Sequence, residues 1–432
     1  SPLCACFFFC RVLQCKQEVI ILQNFSNQPN LFTENQPSAH APIYVDGAPI
    51  NGYCGYLRPQ DHADAVKRGD LCAAEVKANV VADFERDAAY CALHGGTPDL
   101  MVHVSTFTEI DGVIYMTYYA NDATAAEDPN HQAARLAYCP KEAPEQKTVL
   151  ELQRVGDLLC GKTVTALYDT VLLQKDDREL YLLWTAAVDG LYYRLYRTYD
   201  VKNHTLGEIG VNRLQVGAVT NDFSTTGICD ALAANQIPQK RMFSDIGIMQ
   251  KLSARMENGE TYYYTGAYSG FLNFIIKSRD FITWEYVAAP DFVNFSMWEN
   301  ATYVLADRVY YFVRQTECQQ GFLTAYDLLT HTWQKPTLIA DCQSRADFVY
   351  DQGNLYLICA PKDRNGFGVV KVCTEDLSKS VPVLSADLKE SLFYPYVRMQ
   401  GDQAYISYTV DRKHIRLSHF SLRRYAEEVS HE

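Results

Sequence analysis

The feature that most narrows what this chain can fold into is a repeat. From about residue 100 onward, an apolar alternating strand, an Asp/Gly/Asn turn and a Tyr-rich returning strand recur six times. The turns are Ile110-Asp111-Gly112, Lys175-Asp176-Asp177, Glu257-Asn258-Gly259, Ala306-Asp307-Arg308, Asp351-Gln352-Gly353 and Gln400-Gly401-Asp402. The strands after them read VIYMTYY, ELYLLWT, TYYYTGAY, VYYFVRQ, NLYLICA and QAYISYT. One such unit cannot bury both of its faces, so the copies must stack around an axis. The expected fold is all-β, a β-propeller, six-bladed by this count with five blades allowed. The 30 Tyr and 20 Phe suit a pleated, half-buried surface. Only Asp61 to Tyr90 carries a partly helical rhythm.

Residues 1–95 do not repeat clearly and are read as an N-terminal extension, either donating a closing strand to the last blade or forming one degenerate further blade, with 96–432 as the propeller catalytic domain. The apolar run over 3–14 is interrupted by Arg11 and falls short of the ~20 residues a membrane span needs. It also lacks the basic start and small-residue cleavage site of a signal peptide. Fourteen cysteines without a CxxC pair read as buried thiols, which favours a cytoplasmic over a secreted setting. The cluster Cys4, Cys6, Cys10 and Cys15 has no His or second Cys pair beside it to make a zinc site. A net charge of -13 and the lack of a Lys/Arg stripe argue against nucleic-acid binding. Nothing in the sequence sets an oligomeric state.

In a propeller the innermost strand of each blade lines the central channel, so residues opening those strands converge on one mouth. His103, Asp169 and Glu299 each stand eight residues before the turn residues Asp111, Asp177 and Asp307. The same register elsewhere gives Gln250, the Ser344–Arg345 pair, and Tyr394 with Tyr396. Two carboxylates aimed at one cavity suit cleavage of a glycosidic bond, where one acid protonates the leaving oxygen and a carboxylate works on the opposite face. Burial and closeness raise one carboxyl so that it keeps its proton. The plainer reading of each group is a strand-end cap or a ligand for channel water. The turn aspartates are turn formers, because Asp bonds its own backbone and tolerates the left-handed region. Long loops at 122–135 and 203–243 add length on a rim, where binding sites are built.

Ser278-x-Asp280-Phe281-x-x-Trp284 resembles the SxDLxxW blade ending of glycoside hydrolase families 43 and 32. CTEDLS from Cys373 and TAYDLLTHTW from Thr324 are weaker echoes. That motif marks architecture: Ser and Asp close a turn while Trp packs between blades. Tyr168-Asp169-Thr170-Val171 resembles the family 43 element that carries a pKa-modulating Asp, and Trp298-Glu299-Asn300-Ala301 the element that carries its general acid. The resemblance implies a glycoside hydrolase acting on a poly- or oligosaccharide. Glu299 would be its acid, Asp169 would tune that acid, and Trp298, Gln250, Arg345, Tyr394 and Tyr396 would hold the sugar. No cofactor is implied; an axial calcium ion, which some propeller enzymes hold, has no ligand motif here.

The chain departs from the family 43 pattern in its first blade, where His103 stands in place of an Asp; Asp99, four residues earlier, is a substitute only if the strand shifts. Six blades suit the sialidase-like propellers better, yet their three-arginine carboxylate clamp is not evident, Arg345 and Arg398 being scattered candidates. Two other readings therefore stay open. One is a polysaccharide lyase in which His103 or a Tyr abstracts a proton beside a uronic carboxylate neutralised by Arg345. The other is a non-catalytic propeller that binds glycan or protein.

Overall fold

The computed structural model describes residues 98–423 apart from 145, 238–244, 270–271, 291–298, 316–319, 340–341, 362 and 389, together with 23–25, 31–33, 35–36, 65–66 and 77–83. Alternating apolar residues and tight turns fold the repeats into consecutive antiparallel strands. The first sheet is Met101–Ile110, Val113–Asn121, Gln132–Pro140 and Thr148–Arg154. The inner strands of the next five sheets are Lys162–Gln174, the broken pair Ile246–Ile248 and Ser253–Glu257, Asn300–Leu305, Gln343–Asp351, and Phe393–Gln400.

The chain is an all-β propeller. Five of the six sheets are regular blades, with four core strands all antiparallel. The third sheet differs, because its outer strand Arg213–Val216 runs parallel to Thr283–Ala288. Neighbouring sheets are tied by hydrogen bonds near the axis. Leu172 N donates to Thr106 Oγ1 (2.7 Å), Thr185 Oγ1 to the Ile246 carbonyl (2.8 Å), and Val304 N to Ser253 Oγ (2.8 Å). The fourth and fifth sheets share a core that includes Phe312, Phe348 and Leu357. Val397 N donates to Asp347 Oδ2 (2.7 Å), and Val102 N to the Arg412 carbonyl (2.8 Å), which brings the last sheet back to the first.

Three of the expected turns use two residues in the left-handed region: Asp111-Gly112, Asn258-Gly259 and Gln352-Gly353. Such pairs match the twist of the strands they join. The Ser278 motif closes as expected. Phe281 N donates to Ser278 Oγ (2.9 Å), Ile282 N and Thr283 N donate to Asp280 Oδ1 (2.8 Å each), and Trp284 is fully buried with its ring stacked on Phe281. Asp327 and Asp376 accept from backbone N–H groups two residues on in the same way, so both echoes are turns of one kind.

Lys77–Asp83 pairs antiparallel with His414–Ser421 and is a strand, against the helical rhythm of its surroundings. The 203–243 stretch holds a helix, Thr225–Ala234. Ser224 caps it by accepting from Gly227 N (3.0 Å), and Ile228, Ala231 and Leu232 bury its inner face. Among the described residues no helix is long and apolar enough to cross a membrane.

Candidate active site

Four inner strands are kinked at one register. The ladder shifts between His103 and Thr106, opposite Asp169, between Gln343 and Asp347, and between Phe393 and Tyr396. Each kink holds a residue with positive φ: Val104 (53°), Asp169 (54°), Ser344 (90°) and Tyr394 (56°). Such backbones cost on the order of 1–3 kcal/mol each and persist only where packing enforces them. A bulge re-aims side chains and recurs beside active sites. Here the four bulges bring His103, Asp169, Arg345 and Tyr394 into one cluster.

Asp169 is buried among cations. Arg345 Nη2 lies 2.8 Å from its Oδ1, and Tyr268 OH donates to Oδ2 (3.0 Å). Arg194, fully buried, sits 3.5 Å from that oxygen and donates to the Asp169 carbonyl (2.6 Å). Arg345 reaches three further ways: it donates to Gln250 Oε1 (3.3 Å), lies 4.9 Å over the Tyr394 ring, and feels Glu299. Burial opposes its charge, but Asp169 and Glu299 outweigh that and raise its pKa. Glu299 is ion-paired with Arg314, which stands opposite it across the hairpin and also bonds Tyr394.

Tyr394 is the hub. Its phenol pKa is raised by burial and by Glu299, against the pull of Arg345 and Arg314. The His103 ring stacks on it at 4.7 Å and 22°, with Tyr119 and Phe393 at its edges. Burial, then Arg412, Arg345 and Arg364, push the His103 pKa well down, so the imidazole is neutral at neutral pH. Neither ring nitrogen has a hydrogen-bond partner among the described residues. On the rim, Glu127 accepts from Tyr119 OH (2.5 Å) and pairs with Arg412 (2.8 Å).

Five guanidiniums therefore meet three carboxylates, Asp169, Glu299 and Glu127. Arg364 has no carboxylate partner among the described residues; it is held by Ser344 Oγ (3.2 Å) and lies 4.2 Å over the Phe393 ring. A cluster so loaded with fixed positive charge is ready for an anion.

Of the residues expected here, His103, Asp169, Glu299, Arg345 and Tyr394 come together, and Gln250 joins them from below through Arg345. Tyr396 turns away: its ring meets Phe107 (5.6 Å) and lies under Lys251 Nζ (4.6 Å). Trp298 lies outside the described residues. Asp99 is engaged by Arg135 (2.9 Å) and does not replace His103. Sequence reasoning missed Arg194, Tyr268, Arg314, Arg364, Arg412 and Glu127. Two of these carried a signal. Arg314 follows from counting back across the Asp307 turn from Glu299, and Glu127 lies in the long loop after the first hairpin. Among the described residues no three His, Cys, Asp or Glu side chains gather to hold a metal ion.

No family model and no curated protein sequence matches the chain. Solved structures do. A Trypanosoma rangeli sialidase is 14% identical, with 81% of this chain and 60% of that one covered, at a TM-score of 0.51. The same enzyme with 2,3-difluorosialic acid as a covalent intermediate scores 0.52 at 11% identity, with 83% and 61% covered. A Hadza microbial sialidase scores 0.55 at 10% identity, with 81% and 69% covered. The chain thus spans about 60% of the length of the trypanosomal enzyme. The fold is the sialidase-like β-propeller. Families 43 and 32, which the blade motif resembles, gain no support from these neighbours.

Proposed function

We propose that this protein is a glycoside hydrolase whose substrate carries a carboxylate on the sugar that is cleaved. One observation carries the reading: a half-buried tyrosine, Tyr394, sits between Glu299 and a set of arginines in which Arg364 has no carboxylate partner among the described residues. Arg364, Arg314 and Arg345 bind the sugar carboxylate, as guanidinium forks match a carboxylate in shape and charge. Tyr394 attacks the anomeric carbon, a role that tyrosine takes in sialidases. Glu299, ion-paired with Arg314 beside Tyr394, accepts the phenolic proton in this reading, a different role from the general acid expected from the resemblance. The glycosidic C–O bond breaks as the bond to Tyr394 forms, the leaving oxygen takes its proton from water, and a second water then hydrolyses the glycosyl–tyrosine bond and returns the phenolic proton. Asp169 fixes Arg345, and neutral His103 packs the face of Tyr394.

Support also comes from the neighbours, which are sialidases, one of them caught with a covalent sugar intermediate. The test compares wild type with Tyr394→Phe and Arg364→Gln on aryl sialosides and on neutral aryl glycosides. Expected are turnover of the acidic glycoside only, a fall of about 10³-fold or more in kcat for Tyr394→Phe, and 2,3-difluorosialic acid trapped on the Tyr394 peptide by mass spectrometry. Turnover of neutral glycosides, or full activity in Tyr394→Phe, overturns the assignment.

A lyase is the second reading. It is favoured by the His103–Tyr394–Arg345 contact and by the ion pairs that occupy both Asp169 and Glu299. Release of a near-ultraviolet-absorbing unsaturated uronate from a polyuronate, abolished by His103→Ala, would establish it.

A further inference from the structure

The far ends of the inner strands enclose a second space on the axis, a cavity of about 460 Å³. Its wall includes Gln174, Lys251, Tyr303, Tyr350, Tyr396 and Arg398, and no Asp or Glu lines it. Two of its cations are already matched. Lys251 pairs with the buried Asp347 (2.9 Å) and donates to the Val397 carbonyl, while Lys175 pairs with Glu179 (2.7 Å). Arg398 is not. Its Nη1 donates to Thr108 Oγ1 (2.6 Å) and its Nη2 to Gln174 Oε1 (3.0 Å), both neutral acceptors, and no carboxylate pairs with it among the described residues.

A guanidinium has five N–H donors, so several remain for a ligand. Neutral partners fix its direction without cancelling its charge. The chemistry is wrong for a calcium ion, which takes six to eight oxygen ligands, carboxylates prominent among them. It is right for an anion. The same cavity is lined by Tyr303 and Tyr350, whose rings stack at 6.0 Å and 28°, with Tyr350 39% exposed. Flat aromatic faces with a polar tip suit a ring that has one apolar face and many hydroxyls. The volume lies in the range of small-ligand pockets.

We propose that this axial cavity is a second binding site, distinct from the Tyr394 cluster, which takes a small acidic sugar with its carboxylate on Arg398 and its ring against Tyr303 and Tyr350. This inference does not depend on the proposed hydrolysis, since none of the catalytic groups named above lines the cavity.

The test is titration calorimetry of the full chain with glucuronate, glucose and inorganic sulfate. Four variants are compared with wild type: Arg398→Gln, Arg398→Lys, Tyr350→Ala and Arg364→Gln. Circular dichroism and thermal unfolding check that each is folded. In Arg364→Gln, which disables the front cluster, glucuronate binding at the axial site should persist. Arg398→Gln should weaken that event by about tenfold or more, the worth of a charge-assisted contact. Arg398→Lys should recover part of it, and Tyr350→Ala should weaken it less. Glucose should not bind. If Arg398→Gln leaves every binding event unchanged, the site does not exist. If sulfate binds there as well as glucuronate and Tyr350→Ala has no effect, the cavity holds an anion and no sugar, which also overturns the proposal. A failed front site removes only the event that Arg364→Gln abolishes, so the two readings fail separately.

Discussion

The two ends of the propeller axis use the same side-chain types in different ways. At the Tyr394 end the inner strands are kinked by four bulges with positive φ, and five arginines crowd three carboxylates. At the Arg398 end the strands run into their hairpins, and Lys251–Asp347 is an ion pair buried in the wall. Positive φ occurs at both ends, but the rear hairpins place Asp111, Asn258, Ala306 and Gln352 there. The front kinks instead place Val104 and Tyr394, a β-branched and a bulky residue for which that conformation is most strained. Both ends nevertheless hold one arginine anchored only by neutral groups, Arg364 in front and Arg398 behind. The front differs in having Tyr394 and Glu299 beside that arginine, whereas the rear has aromatic walls. Under the two proposals, one end binds and reacts and the other binds.

The sharpest way to break this comparison is to unbalance the rear pair. Lys251→Met leaves Asp347 buried without its cation and should cost ~3–5 kcal/mol in denaturant unfolding. The double variant Lys251→Met, Asp347→Leu should recover most of that loss, because the two desolvated charges go together. If the single variant is as stable as wild type, the pair is not what holds the rear wall.

The ends also respond oppositely to pH. Burial pushes the Asp347 carboxyl up to about 6, only partly offset by Lys251, above the ~3.9 of an unfolded Asp. Between those values the folded chain binds a proton that the unfolded chain does not. Its contribution to stability is therefore fully present below ~4 and is lost as pH rises through about 6. His103 behaves the other way. Its pKa is lowered by burial, so the unfolded chain takes up the proton first, and its contribution, present above ~6.5, is lost as pH falls. Unfolding free energies measured from pH 4.5 to 7.5 should show a downward slope in wild type relative to the Lys251→Met, Asp347→Leu variant, amounting to ~1–3 kcal/mol. Wild type relative to His103→Phe should slope upward over the same range. Parallel curves in either comparison would remove that group from the account.

Much of the fold was legible because it is written in short-range signals. The Asp111-Gly112 and Asn258-Gly259 turns, the Ser278 motif and the tyrosine-rich return strands each need only local chemistry to be read. The register that aligned His103, Asp169 and Glu299 was legible for the same reason, since a constant distance from a turn is a local quantity. Tyr396 was misplaced because the bulge at Tyr394 lies between the two, and a one-residue insertion changes which side chain faces the mouth. Arg364 and Arg412 stand in or beside turns, with no periodic pattern to mark them. They reach the site only through the closure of the ring, which is a long-range property. Residue pairings such as Tyr268 with Asp169, 99 positions apart, belong to the same class.

The smallest effect concerns the link between the two ends. Gln250 lines the rear cavity and accepts a hydrogen bond from Arg345, whose other nitrogen holds Asp169. It is thus a positioning residue, acting on the front only through the guanidinium. Gln250→Met keeps the length of the side chain and removes the acceptor, at a cost of ~0.5–1.5 kcal/mol for a buried hydrogen bond. If the bond steadies Arg345 for the sugar carboxylate, the variant should raise KM a few-fold while leaving kcat nearly unchanged, and Gln250→Glu should restore KM by replacing the acceptor. A purely structural Gln250 would instead lower thermal stability with both constants unmoved. That outcome would leave the front and rear sites energetically independent, joined by the fold alone.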